Sequence, residues 1–173
     1  MTLPNLKQKI SSHNTKILNK FNEKDTKKNE KKCNCRAECP ANEECLSENV
    51  IYKAEVTELT SQNTQCYVGL TGDTFKTRYR NHLKSFKNSK YQNETCLSNF
   101  IWKLKNEKTD YDIKWKIIDR GSTYTPVTDR CNLCLKEKYY LLRFPKEYTI
   151  NNRNEFGNSC RHYKKLLISN HKD

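Results

Sequence analysis

Val50-Ile51-Tyr52-Lys53-Ala54-Glu55-Val56 is followed, after Ser61-Gln62-Asn63-Thr64, by Gln65-Cys66-Tyr67-Val68-Gly69-Leu70. Both runs are rich in β-branched and aromatic residues, which suit a half-buried pleated surface. The polar turn cluster between them makes a β-hairpin the expected unit. Tyr52 and Tyr67 fall on adjacent strands of that hairpin. Strand tyrosines ordinarily pack and hydrogen-bond, and the ten tyrosines of the chain favour this plain reading of the pair.

Downstream the period changes. Thr74 is placed to N-cap a helix, and Phe75, Tyr79, Leu83 and Phe86 then recur at helical spacing. After the break at Asn93-Glu94-Thr95, Leu97, Phe100, Ile101 and Leu104 mark a second helix. Ile113, Trp115 and Ile117 alternate, which predicts a third strand. A loop over 119–130 with Gly121 and Pro126 precedes a third helix from about Asn132 to Phe144, stopped by Pro145. Glu155 onward is expected to form a last, basic helix. The order β-β-α-α-β-α predicts an α/β chain of α+β type, a small, mainly antiparallel three-stranded sheet flanked by helices.

Lys and Arg outnumber Asp and Glu by 33 to 20, for a net charge of +13. That excess favours a polyanion, nucleic acid ahead of an anionic membrane; a merely basic, soluble surface is the simpler account. No apolar run is long enough to span a bilayer. The opening MTLPNLKQKISSHNTKIL lacks the apolar core and cleavage site of a secretory signal. An intracellular, reducing location follows as the expectation, and there nine cysteines point to metal before disulfides. Residues 1–32 are polar and basic, and are expected to be a flexible arm or linker, helical near Leu6 to Leu18. Residues 33–48 form a Cys-rich segment, 49–153 the core, and 154–173 a basic tail or helix that contributes Cys and His ligands.

Arg78 and His82 are four apart on the first core helix and share a face, where a phosphate could bind. Lys76, Arg80 and Lys84 would add positive field toward nucleic acid; a solvated basic helix is the alternative. Glu137 lies in the stripe Leu133, Glu137, Tyr140, Leu141 and Phe144. A carboxylate on a core face costs several kcal/mol (roughly) unless paired or metal-bound. A hard cation such as Mg²⁺ and a salt bridge to Arg78 or Lys138 are equally compatible with that position. Cys33, Cys35, Cys39 and Cys45 could enclose a tetrahedral Zn²⁺. Cys131 and Cys134 have the spacing of a zinc knuckle, with Cys160 and His162 as further ligands and His171 the alternative fourth. Cys66 and Cys96 fall in core elements as buried thiols.

These positions together resemble the GIY-YIG nuclease family. Its first motif appears as Val50-Ile51-Tyr52, with valine where the family has glycine, and its second as Tyr67-Val68-Gly69. Its helix arginine and following histidine match Arg78 and His82 in TFKTRYRNH, and its glutamate matches Glu137 in CLKEKYYLL. The late asparagine matches Asn151, with Asn152 the alternative. The strings CNCRAECPANEECLSENVIYKAEV, TCLSNFIWKLK, CNLCLKEKYYLLRFP and SCRHYKK are similar to the endonuclease domain of Penelope-like retroelements. There the domain follows a reverse transcriptase, so the chain is either an excised domain or a free-standing copy.

The resemblance implies a DNA endonuclease using Mg²⁺ or Mn²⁺ on Glu137, with structural Zn²⁺ on the cysteines. Arg78 would bind the scissile phosphate, and Asn151 would support the site by hydrogen bonding. Tyr52 is the candidate general base, with His82 accepting its proton; Tyr67 could orient water or phosphate or take the base role itself. DNA is the implied partner, together with a reverse transcriptase in the same polypeptide and its RNA, acting in the nucleus. A catalytically inactive zinc-containing nucleic-acid-binding module is the alternative.

Overall fold

A computed structural model describes residues 6–26, 33, 35, 39–122, 131–152 and 160. The hairpin is built from β1 (Val50–Glu58) and β2 (Thr64–Thr71). Its five-residue connection is closed by Gln62 in the left-handed region at φ 57°. The third strand, β3 (Tyr111–Arg120), is longer than the alternating triplet alone predicts. It pairs with the other side of β1, giving a fully antiparallel sheet of order β2-β1-β3. Tyr52 lies opposite Gly69 on one side and Ile117 on the other. The β1–β3 register slips between Ile51 and Tyr52, so a bulge sits at the tyrosine itself. Bulges bend a strand and re-aim side chains.

β1 is buried on both faces because helices cover both. Val50, Tyr52, Ala54 and Val56 face one cluster with Phe75, Phe86, Leu97, Ile101 and Leu104, which come from α2 (Phe75–Lys87) and α3 (Cys96–Asn106). Ile51 faces the other, with Val68, Leu133 and Leu141, where α4 (Asn132–Arg143) packs. Val50, the valine at a glycine position of the resembled motif, is fully buried in the first cluster. Thr74 and Thr95 N-cap α2 and α3 through hydroxyls that accept from Thr77 and Ser98 backbone N–H groups. α4 ends at Arg143, since the residue before Pro145 is biased out of helical backbone. Phe144 is exposed at 37%, so it leaves the apolar stripe in which the spacing places it.

Residues 1–32, expected as an arm with a short helical stretch, hold the longer helix α1 (Leu6–Thr26). No described helix is long and apolar enough to cross a membrane. The expected basic helix from Glu155, and most of the loop at 119–130, lie outside the described residues.

Candidate active site

Arg78 and His82 reach the sheet from the inner face of α2 and meet at one atom. Arg78 Nε donates to Tyr52 Oη at 2.9 Å, and Tyr52 Oη lies 2.8 Å from His82 Nε2. Tyr67 packs beside them, its ring centroid 6.3 Å from that of Tyr52 and 6.1 Å from that of His82. The Tyr52 oxygen thus accepts from Arg78, and its own proton can go to His82 Nε2. His82 is then the tautomer with hydrogen on Nδ1.

Burial sets the protonation states. Tyr52 is wholly buried, which pushes its phenol up; Arg78 pulls the other way and the nearby Glu137 charge adds to the rise. His82 is driven down to about 3, first by burial and then by Arg78. Arg78 resists the same burial because Tyr52 and Tyr67 favour its charge, and the net shift is upward. At neutral pH the centre is therefore a fixed guanidinium beside a neutral phenol–imidazole pair.

A stability prediction follows from His82. Its folded pKa lies below the unfolded value of about 6.5, so the unfolded chain binds the proton first as pH falls. The stabilisation is complete above about pH 6.5. It is lost at about 1.4 kcal/mol per pH unit as the pH drops toward the folded value. Urea unfolding at pH 7 and pH 5 should show a steeper loss for the native chain than for His82→Gln. Equal losses would refute the neutral, buried imidazole.

Gly69 is where this cluster is made possible. A Cβ there would stand 2.6 Å from Tyr52 Oη and 2.8 Å from both Tyr52 Cζ and Tyr67 Cε1. Asn151 holds the outer edge of β2. Its Oδ1 accepts from Val68 N–H at 2.8 Å and its Nδ2 donates to Val68 O at 2.9 Å. The side chain substitutes for a neighbouring strand between the two tyrosine-side residues Tyr67 and Gly69, and the preceding Ile150 N–H donates to Cys66 O. Asn152, the alternative, is exposed. Glu137 is half-buried on α4, and its charge is felt at Tyr52.

The outward basic residues divide. Arg80 and Lys84 are exposed on the far side of α2, with Lys84 Nζ 4.5 Å from the Tyr91 ring. Lys76 is half-buried and donates to Cys35 Sγ at 3.6 Å. Spacing alone misses Trp115. Its ring lies 6.0 Å from Tyr52 and 5.4 Å from His82. The signal was the strand alternation, which puts Trp115 opposite Ala54 on the helix-covered face.

The cysteines gather as two clusters. The sulfurs of Cys33, Cys35, Cys39 and Cys45 all lie within 4.8 Å of one another, as do those of Cys131, Cys134 and Cys160. All nine cysteines are free thiols. The first set fits a tetrahedral Cys₄ zinc site, in which sulfurs bound at about 2.3 Å stand roughly 3.8 Å apart. Cys33 and Cys45 are 3.3 Å apart, and Cys35 and Cys45 3.6 Å. Burial opposes ionisation of Cys39, but hydrogen bonds from the Ala41 backbone, Cys33 and Cys45 outweigh it and bring the thiol down to about 7. The second set offers three thiols; His162 and His171 lie outside the described residues. Cys66 is buried and Cys96 half-buried, both apart from the clusters.

Both clusters sit on helix starts. Cys45 O and Ser47 O accept the first two N–H groups of α2, from Lys76 at 2.7 Å and Phe75 at 2.9 Å. Cys131 N-caps α4, its Sγ accepting from Cys134 N–H, while Ser122 O accepts from Leu133 N–H. Purified protein is expected to carry close to two zinc ions per chain. Stripping them should lower the melting temperature and loosen both helices. A metal-free chain with an unchanged melt would rule out both sites. No family model, curated protein or solved structure matches the chain.

Proposed function

We propose that the protein is a metal-dependent DNA endonuclease of the GIY-YIG type that hydrolyses a phosphodiester bond. In a Penelope-like retroelement it would nick the target for insertion, in the nucleus, joined to a reverse transcriptase that carries its RNA. The observation that supports this is the convergence of Arg78 and His82 on the single phenol oxygen of Tyr52, with the Tyr67 ring beside it.

Hydrolysis needs an activated water, charge stabilisation on the phosphate and help for the leaving oxygen. Arg78 has five N–H donors, more than its bond to Tyr52 uses, and can present the rest to a phosphate. Tyr67 retains 5% exposure and Tyr52 none. Tyr67, the more open of the two, is placed to orient the water; Tyr52 is the general base, with His82 Nε2 the acceptor in reach of its proton, a transfer that the burial of His82 makes uphill. Any phenolate so formed is held by the Arg78 guanidinium.

Glu137 supplies one carboxylate, and no described group of three or more His, Cys, Asp or Glu donors includes it. One carboxylate suits Mg²⁺ or Mn²⁺, which is commonly completed by water and substrate phosphate. When bound, such an ion stabilises phosphate charge and the leaving 3′ oxygen. Nicking of supercoiled plasmid with Mg²⁺ or Mn²⁺ tests the reading. Native protein should nick, and Glu137→Ala and Tyr52→Phe should not, with DNA affinity little changed in Tyr52→Phe. Full burial of Tyr52 favours the second reading, a catalytically inactive zinc-containing nucleic-acid binder. DNA binding without nicking by either ion would establish that one instead.

A further inference from the structure

One groove outside the proposed centre shares a wall with it. It is open, about 410 Å³ in volume, and lies between the first cysteine segment and the outer edge of β3. Pro40 and Asn42 form one side, Ile113, Lys114 and Trp115 the other, with Tyr79 between them. Tyr79 and Trp115 meet edge to face, with centroids 5.5 Å apart. Both are half-buried. The other face of the wall is the proposed centre, since the Trp115 ring is in contact distance of His82 and Tyr52.

The polar tips of these two aromatics are unspent. The other tryptophan, Trp102, donates its Nε1–H to Ser85 O at 2.8 Å. Among the described residues neither Trp115 Nε1–H nor the Tyr79 hydroxyl makes a hydrogen bond, and neither is closed off from solvent. Buried tryptophan and tyrosine ordinarily find a partner for that group; here both tips stay open to solvent on residues that line the groove. Asn42 is exposed at the rim in a left-handed turn at φ 45° and offers an amide donor and acceptor. Lys114 is exposed and lines the groove beside Trp115.

Aromatic side chains, unspent donors and a flanking ammonium group are the components of a stacking platform for unpaired bases. A chain of net charge +13 favours a polyanion over an apolar or basic peptide. We infer that this groove binds an unpaired nucleotide of single-stranded DNA by stacking against Trp115 and Tyr79. Its purpose, recognising unpaired DNA beside the scissile phosphate, rests on the nuclease reading; its binding chemistry does not.

The test uses the full chain with no added Mg²⁺ or Mn²⁺, so that nothing is cut. Trp102→Phe leaves Trp115 as the only tryptophan without touching the groove. Titration with oligo(dT) should quench Trp115 emission to saturation. Tyr79→Leu should weaken oligo(dT) binding about tenfold while duplex affinity stays within about twofold. Unquenched emission at saturating oligo(dT), or equal losses on single strand and duplex, would overturn the inference. If Tyr79→Leu fails to fold, Lys114→Ala, exposed in the groove and outside the proposed centre, takes its place, and equal losses on single strand and duplex again overturn the inference. Plasmid nicking with a silent Trp115 refutes the groove and leaves the nuclease. Quenching without nicking refutes the nuclease and leaves the groove.

Discussion

Arg78→Ala is expected to cut the nicking rate by about 10²–10³-fold or more, the scale seen when one transition-state donor is removed. Two duties fall on this side chain. It donates to Tyr52 Oη, and it keeps a permanent positive charge beside a neutral imidazole. The fold should survive, because the Tyr52 hydroxyl keeps His82 as a partner; the cost of one lost bond to a charged group is about 1.5–3 kcal/mol. Arg78→Lys keeps the charge but loses the planar fork, and should recover only part of the rate. Plasmid nicking at matched protein concentration reads both variants, with circular dichroism as the check on folding. Native rates from a pure, folded Arg78→Ala protein would remove Arg78 from the chemistry.

Gly69→Ala should produce the largest loss of stability from a single added methyl group. Overpacked cores commonly lose about 1–3 kcal/mol, and this position has little room to relax. A clash with the end of a free side chain is relieved by a small rotation. Here the end is Tyr52 Oη, already fixed by Arg78 and His82, and the second obstruction is the ring of Tyr67. Moving either tyrosine breaks the cluster, so nicking should fall with stability. A compact variant with native melting temperature would show that the rings have more freedom than their hydrogen bonds imply.

The parts of this architecture that were legible in the sequence are those set by neighbours along the chain. The Ser61–Thr64 turn, the alternation of β3 and the Thr74 cap each depend on a few consecutive residues. The shared face of Arg78 and His82 follows from helix geometry alone. What spacing could not show depends on distant pairing. The bulge at Tyr52 exists only in the register between β1 and β3. The role of Asn151 depends on its reaching the backbone of Val68, far away in sequence. That Cys35 lies beside the Lys76 amine likewise depends on the fold, since the two are far apart in sequence. Trp115 read as a core residue of a strand, and only the packing of α2 against β3 placed it beside the centre.

The thiol clusters have a consequence for helix electrostatics. The N-terminus of a helix carries partial positive charge, usually answered by Asp or Glu in the first turn. Neither α2 nor α4 has an acidic residue there. Four thiolates around Zn²⁺ would carry a net charge of about −2, and three about −1, and Cys45 and Cys131 put their clusters at those two helix starts. Zinc held there would thus serve as the anionic cap of the two helices that carry Arg78, His82 and Glu137. Losing zinc, or oxidising the thiols, would leave two helix dipoles uncompensated at once, with the proposed centre between them.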